Sequence, residues 1–365
     1  MDQNKANDRL YFASDYMEGA HPAILQRLLE TNMVHSAGYG LDTFSESARA
    51  RIRRACSAPE ADVHFLVGGT QTNATVIGSI LRPYQGVIAA ESGHISTHEA
   101  GAIEAGGHKV LALPHTMGKL DAASVADCVK AYREDGNHDH MVMPGLVYIS
   151  QPTEFGTLYS LRELTEISRV CHEAGIPLYV DGARLAYALA CPDNDVTLAD
   201  LARLCDAFYI GGTKCGALLG EAVVLPRHDF IPHFFTLIKR GGALLAKGWV
   251  AGLQFDTLFS PLPGKNGENE NGSGGSPLLY EEIGRTAIDA AGRIRKALLE
   301  KGYDLPFDCP TNQLFIAVDR DRKEYLEQHA ELSFWEKLAD GRTVLRICTS
   351  WATSMEDVDR LLAVL

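Results

Sequence analysis

Closely spaced cysteines are missing from this chain of 365 residues. Its eight, at 56, 128, 171, 191, 205, 215, 309 and 348, form no C-x-x-C pair and no short disulfide framework, so they read as buried thiols. No apolar run approaches the roughly 20 residues that would span a bilayer. The opening "MDQNKANDRL" has no apolar core for a signal peptide, and the expectation is a cytoplasmic protein. Positive charge is also short: 34 Lys and Arg face 47 Asp and Glu, a net charge of -13 with no basic stripe. That balance argues against nucleic acid or an anionic membrane as partner and leaves a small molecule. What remains, 46% hydrophobic and 22% charged residues, describes a globular chain with one large core and a smaller domain.

Apolar runs of strand length recur at 63–67, 86–90, 109–113, 145–150, 177–181, 207–212 and 220–225. Segments with apolar residues three and four apart alternate with them, as in "HPAILQRLLE", "TNATVIGSIL" and "LRELTEISRVCHEAG". This is the βαβ rhythm of an α/β sheet with helices on both faces. A long helix is expected over 241–259, a solvated loop over 264–277, and then a further helix, two strands and a last helix opened by a Ser354–Asp357 capping box. The division is a large domain over 1–259 and a small α+β domain over 260–365.

Three stretches point to one chemistry. "FLVGGTQTNA" turns from a strand through Gly68 and Gly69 into a helix whose N-terminal N–H groups, with the Thr70 hydroxyl, suit a phosphate; an ordinary glycine turn is the alternative. It matches neither the dinucleotide nor the nucleoside-triphosphate glycine pattern. "LYVDGAR" ends an apolar strand in Asp181, where α/β sheets bind ligands. Asp181 can hold a cationic ring nitrogen and Arg184 a carboxylate, or they can be a helix cap and a structural ion pair. "YIGGTKCGALLG" sets Lys214 after a strand among glycines that leave room for a bound group; a desolvated lysine there suits imine formation. In this order the three point to pyridoxal phosphate. "ESGHISTHEAG" pairs His94 with His98 without either zinc-protease spacing, so a metal is not expected, and His94 suits stacking on a planar cofactor.

The same order of motifs resembles the L-threonine aldolase and β-eliminating lyase family over nearly the whole chain, through "FASDY", "GYGLD", "GGTQTNA", "HISTHEAG" and "DGAR". The resemblance implies a fold type I pyridoxal-phosphate enzyme with a mostly parallel mixed sheet between helices and a small C-terminal domain. It implies that Lys214 carries the cofactor as an internal aldimine, that Asp181 partners the ring nitrogen and that His94 stacks on the ring. Gly69, Thr70 and Gln71 would hold the phosphate, and Ser14, Arg184 and Arg346 the substrate carboxylate. The implied reaction cleaves a β-hydroxy-α-amino acid to glycine and an aldehyde; another pyridoxal-phosphate β-lyase or an aminotransferase is the alternative. Two departures stand out. Where the family usually has glutamate-asparagine-threonine-histidine this chain reads "QPTE", which leaves Glu154 or a bound water to stand in for a catalytic histidine. In "KRGGALLAKGW" the usual arginine-glutamine pair is missing, which leaves Lys239, Arg240 or Lys247 to reach the phosphate of a neighbouring subunit in a homodimer or homotetramer.

Overall fold

A computed structural model describes residues 9–262 and 277–365. The strands, in chain order, are β1 (Leu10–Tyr11), β2 (Asp62–Leu66), β3 (Gln85–Ala90), β4 (Val110–Leu113), β5 (Met143–Ser150), β6 (Leu178–Asp181), β7 (Ala207–Gly211), β8 (Glu221–Leu225), β9 (Gln313–Val318), β10 (Ala330–Glu331), β11 (Ser333–Lys337) and β12 (Thr343–Cys348). Seven of them form one sheet in the order β2-β8-β7-β6-β5-β3-β4. The run from β7 to β4 is parallel, while β8 lies antiparallel to both β2 and β7. Strands buried on both faces need apolar residues at nearly every position, and for that reason they stand out as continuous runs in the sequence.

Alternate side chains feed two cores. One face packs Val147, Ile149, Val180, Phe208, Ile210 and Val224 with the helices Leu161–Ala174 and Thr43–Ala55. The other packs Tyr148, Tyr179, Tyr209 and Val223 against the helix Gly69–Ile80. A third core surrounds the sheet β11-β12-β9. The helix Leu279–Glu300 joins the units: Tyr280, Ile283 and Ala287 enter the first core, and Ala291, Ile294 and Leu298 the third.

Three expectations need correction. The helix expected over 241–259 is the shorter Trp249–Leu258. Gly241 caps the preceding helix Phe234–Arg240, and Gly242 follows at φ 71°, a left-handed conformation that breaks the helical path. Only half of the capping box forms: Ser354 Oγ accepts the Asp357 N–H at 3.0 Å, but the Asp357 carboxylate accepts the Ser354 hydroxyl rather than its backbone. The glycines before Lys214 make room for backbone, not for a ligand: a Cβ at Gly211 would overlap the Ala183 carbonyl, and one at Gly212 would lie 2.6 Å from the Gly220 oxygen. The loop expected at 264–277 lies almost wholly outside the described residues.

Candidate active site

Strand register builds the site. Ser150 pairs with Asp181 across β5 and β6, and β6 runs parallel beside β7, so the strand ends that carry Asp181 and lead to Lys214 are neighbours. The Gly182 that follows is needed because a Cβ there would collide with the Tyr209 carbonyl. At this edge lies a cavity of about 250 Å³ whose walls include Gly69, Thr70, His94, Glu154, Asp181, Arg184 and Lys214. Residues far apart in the sequence are thereby gathered around one space.

Asp181 is 4% exposed and fully engaged. Its Oδ2 accepts from Tyr148 Oη at 2.7 Å and Asn73 Nδ2 at 3.0 Å, and its Oδ1 accepts the Ala183 N–H at 3.0 Å. Burial alone would raise its pKa. The electrostatic influence of the nearby His94 ring and the hydrogen bonds from Tyr209, Tyr148 and Asn73 outweigh that and hold the carboxyl below its ordinary value.

His94 begins a single helical turn, and its Nδ1 lies 2.8 Å from Glu99 Oε1. A carboxylate only accepts, so Glu99 fixes the proton on Nδ1 and leaves Nε2 for chemistry. The same Glu99 oxygen accepts from Asn73 Nδ2 at 2.7 Å. Ser150 Oγ lies 3.3 Å from Tyr148 Oη and donates to Glu154 Oε1 at 2.8 Å, and Glu154 Oε1 also accepts the His94 N–H at 2.9 Å. These contacts close a ring from His94 through Glu99, Asn73, Asp181, Tyr148, Ser150 and Glu154 back to His94. Burial raises the Glu154 carboxyl above its ordinary value, with the Asp181 charge adding to the rise, so its proton affinity is strengthened.

Gly68 caps the helix Gly69–Ile80 with no side chain, so the helix start offers backbone donors to an anion. Gly69 and Thr70 face the cavity, whereas the Gln71 carboxamide oxygen turns back to accept the Val67 N–H at 3.3 Å. Arg184 lines the cavity but already grips Asp15, with Nε to Oδ2 at 2.6 Å and Nη2 to Oδ1 at 3.1 Å. The structural ion pair weighed for Arg184 therefore exists, with a partner the sequence did not indicate. Ser14 and Arg346 are not among the lining residues. Arg346 Nη2 donates to the Ala13 carbonyl at 3.0 Å, and both Ser14 Oγ and Arg346 Nε are buried without a protein partner among the described residues. Two orphaned donors on adjoining chain fit an anionic group.

Asn73, Glu99, Tyr148, Ser150, Asp15 and Glu221 went unassigned in the sequence. Glu99 carried a faint signal, an acid five residues after His94 on the same short segment. Tyr148 and Ser150 carried one too, since a polar residue at every second place of an apolar strand marks a face that meets a site.

A family model of β-eliminating lyases matches residues 11–304. The chain belongs to the β-eliminating lyase family. Among the relatives of this lyase is the low specificity L-threonine aldolase of Pseudomonas aeruginosa, 30% identical over 96% of this chain and 95% of the relative. A Saccharomyces cerevisiae protein of the same description is 25% identical over 87% of this chain and 76% of that protein. Among solved structures, the Leishmania major threonine aldolase superposes with a TM-score of 0.89 at 42% identity, covering 97% of the lyase and 98% of that chain. A Thermus thermophilus aspartate aminotransferase shares the fold at 16% identity, with a TM-score of 0.68 and coverage of 99% and 92%. The lyase thus has the fold type I architecture of pyridoxal-phosphate enzymes, and the uncapped helix start, the lysine and the ionised Asp181 in one cavity fit that cofactor.

Proposed function

We propose that this lyase is a pyridoxal-phosphate-dependent aldolase that cleaves L-threonine or L-allo-threonine to glycine and acetaldehyde. One observation carries the reading: Lys214, Asp181, His94 and a carboxyl of strengthened proton affinity, Glu154, face the same cavity. When bound, pyridoxal phosphate supplies the electron sink that accepts the pair released as Cα–Cβ breaks.

The chain's own residues do the rest. Lys214 Nζ, 6.0 Å from the Tyr16 ring centroid, is the covalent anchor. Asp181 would hold a proton on the ring nitrogen. His94, oriented by Glu99, would pack against the cofactor. Gly69 and Thr70 would receive the phosphate, with Gln71 shaping their turn. Arg184, Arg346 and Ser14 would hold the substrate carboxylate and so orient the substrate. The His94 N–H and the Ser150 hydroxyl both bond to Glu154 Oε1, and the carboxyl is the group that would take the β-hydroxyl proton. Because Ser150 has a single hydrogen, it serves either Glu154 or Tyr148 and can turn as Glu154 changes charge.

The working form is a homo-oligomer. Leu29, Met33 and Leu41 are 75%, 85% and 66% exposed, and Tyr39 beside them bonds to the Ala246 carbonyl at 3.2 Å, which brings the Lys239–Lys247 segment to the same face. A second copy covering this apolar face would bring a basic residue of that segment to the partner's phosphate. The eight free thiols favour a reducing, cytoplasmic compartment. The test is product identity: glycine and acetaldehyde in equal amounts from threonine support the aldolase, whereas pyruvate and ammonia from serine without glycine would replace it with a β-elimination.

A further inference from the structure

Glu221 is a buried carboxyl group that none of the steps above uses. It opens β8, where register sets it opposite Leu66 of β2 and Gly211 of β7. Leu66 leads directly into the uncapped helix start at Gly69, and Gly211 leads directly to Lys214. The Glu221 side chain, 3% exposed, therefore lies on the cavity wall between the two, together with Gly69, Thr70 and Thr213.

Its Oε2 accepts the Gly212 N–H at 3.0 Å. Burial pushes the carboxyl up to about 8, against hydrogen bonds from Thr213 and Gly212 and the charge of Lys214, while Asp181 adds to the rise. The other titratable groups that feel it, Tyr179, Tyr209, Tyr280 and Cys215, are kept neutral by their own burial. An ionised carboxylate on this wall would repel a phosphate dianion, whereas the neutral acid offers it an O–H.

We propose that Glu221 is the neutral acid that donates a hydrogen bond to the phosphate of bound pyridoxal phosphate, so that loading the cofactor takes up a proton in alkaline solution, where the free site has lost it. The proposal rests on the pyridoxal-phosphate reading. It makes cofactor affinity, and not only catalysis, dependent on pH.

The probe is pyridoxine 5′-phosphate, which keeps ring and phosphate but has an alcohol where the aldehyde would react with Lys214. It is titrated calorimetrically into the full chain between pH 7 and 9.5, in two buffers of different ionisation enthalpy, with unphosphorylated pyridoxine as control. Relative to Glu221→Gln, wild-type affinity is expected to fall by about tenfold per pH unit above pH 8, the slope of one linked proton. Proton uptake should be small at pH 7, where Glu221 already carries its proton, and approach one per site toward pH 9.5. Glu221→Gln, whose amide donates at every pH, should bind within a few-fold of wild type at pH 7 and lose both the slope and the uptake. Equal slopes in the two proteins, or the same proton uptake with pyridoxine, overturn the proposal. Wild-type proton uptake stands as evidence even where the variant does not fold. Should pyridoxine 5′-phosphate not bind wild type at any pH, the cofactor reading itself falls, a result distinct from binding without a Glu221-linked proton.

Discussion

Asp181 and Glu221 are buried carboxyls in one cavity, yet their neighbours drive them in opposite directions. Asp181 is ringed by donors and stays ionised; Glu221 has fewer and is held protonated near neutrality. Replacing Asp181 with Ala should cut turnover more than cofactor retention, read as kcat beside visible absorbance, because the ring nitrogen loses its partner while the anchor remains. Lys214→Ala should lose both the visible absorbance and all turnover; a fully active variant would remove the central assignment. Glu221 also makes a stability prediction. Between its unfolded value near 4.5 and about 8, the folded state keeps a proton that the unfolded state releases, so this group's contribution to stability falls as pH rises through that window. Denaturant midpoints of Glu221→Gln should lack that slope. Asp15 behaves in the opposite sense: held at about 2 beside Arg184 despite its burial, it contributes above pH 3.8 and its contribution is lost as pH falls toward 2. Asp15→Asn, which leaves Arg184 buried and uncompensated, should cost about 3–5 kcal/mol in urea unfolding at pH 7.

At the scale of elements, the turn after β6 decides whether the site assembles. Gly182 passes so close to β7 that any side chain would meet the Tyr209 carbonyl. Gly182→Ala should therefore destabilise by about 1–3 kcal/mol and displace Asp181; thermal unfolding and cofactor retention would register both, and unchanged values would mean that the strands part without cost. The five inner strands of the sheet were legible because burial on both faces leaves continuous apolar runs. The expected 241–259 helix failed because its apolar spacing is helical while Gly242, at a left-handed φ of 71°, turns the chain. Local pattern reports which face is apolar, not whether the backbone continues. The "QPTE" turn shows the same limit: Gln151 locks the loop through Tyr159, with bonds of 2.9 and 3.1 Å, while Pro152 and Glu154 face the cavity.

Across the whole molecule, the N-terminal described segment joins the C-terminal core. β1 pairs in parallel with β10, and the Cys348 N–H bonds to the Phe12 carbonyl at 2.8 Å, which sets Asp15 against Arg184 of the cavity wall. The exposed face of Leu29, Met33 and Leu41 makes an assembly prediction: Met33→Asp combined with Leu41→Asp should shift sedimentation to the monomer and weaken cofactor retention. A variant that assembles unchanged would move the interface elsewhere. The sequence by itself determined the alternation of strands and helices, and it singled out Lys214 and the acid at the end of its neighbouring strand as candidates, because burial and reactive chemistry restrict residue type position by position. Only the tertiary structure decided the partners of those residues. Asn73 meets Asp181 and Glu99, Asp15 meets Arg184, and Glu221 enters the cavity with the Gly69 turn and Lys214, because sheet register and crossover packing join residues that no local pattern relates.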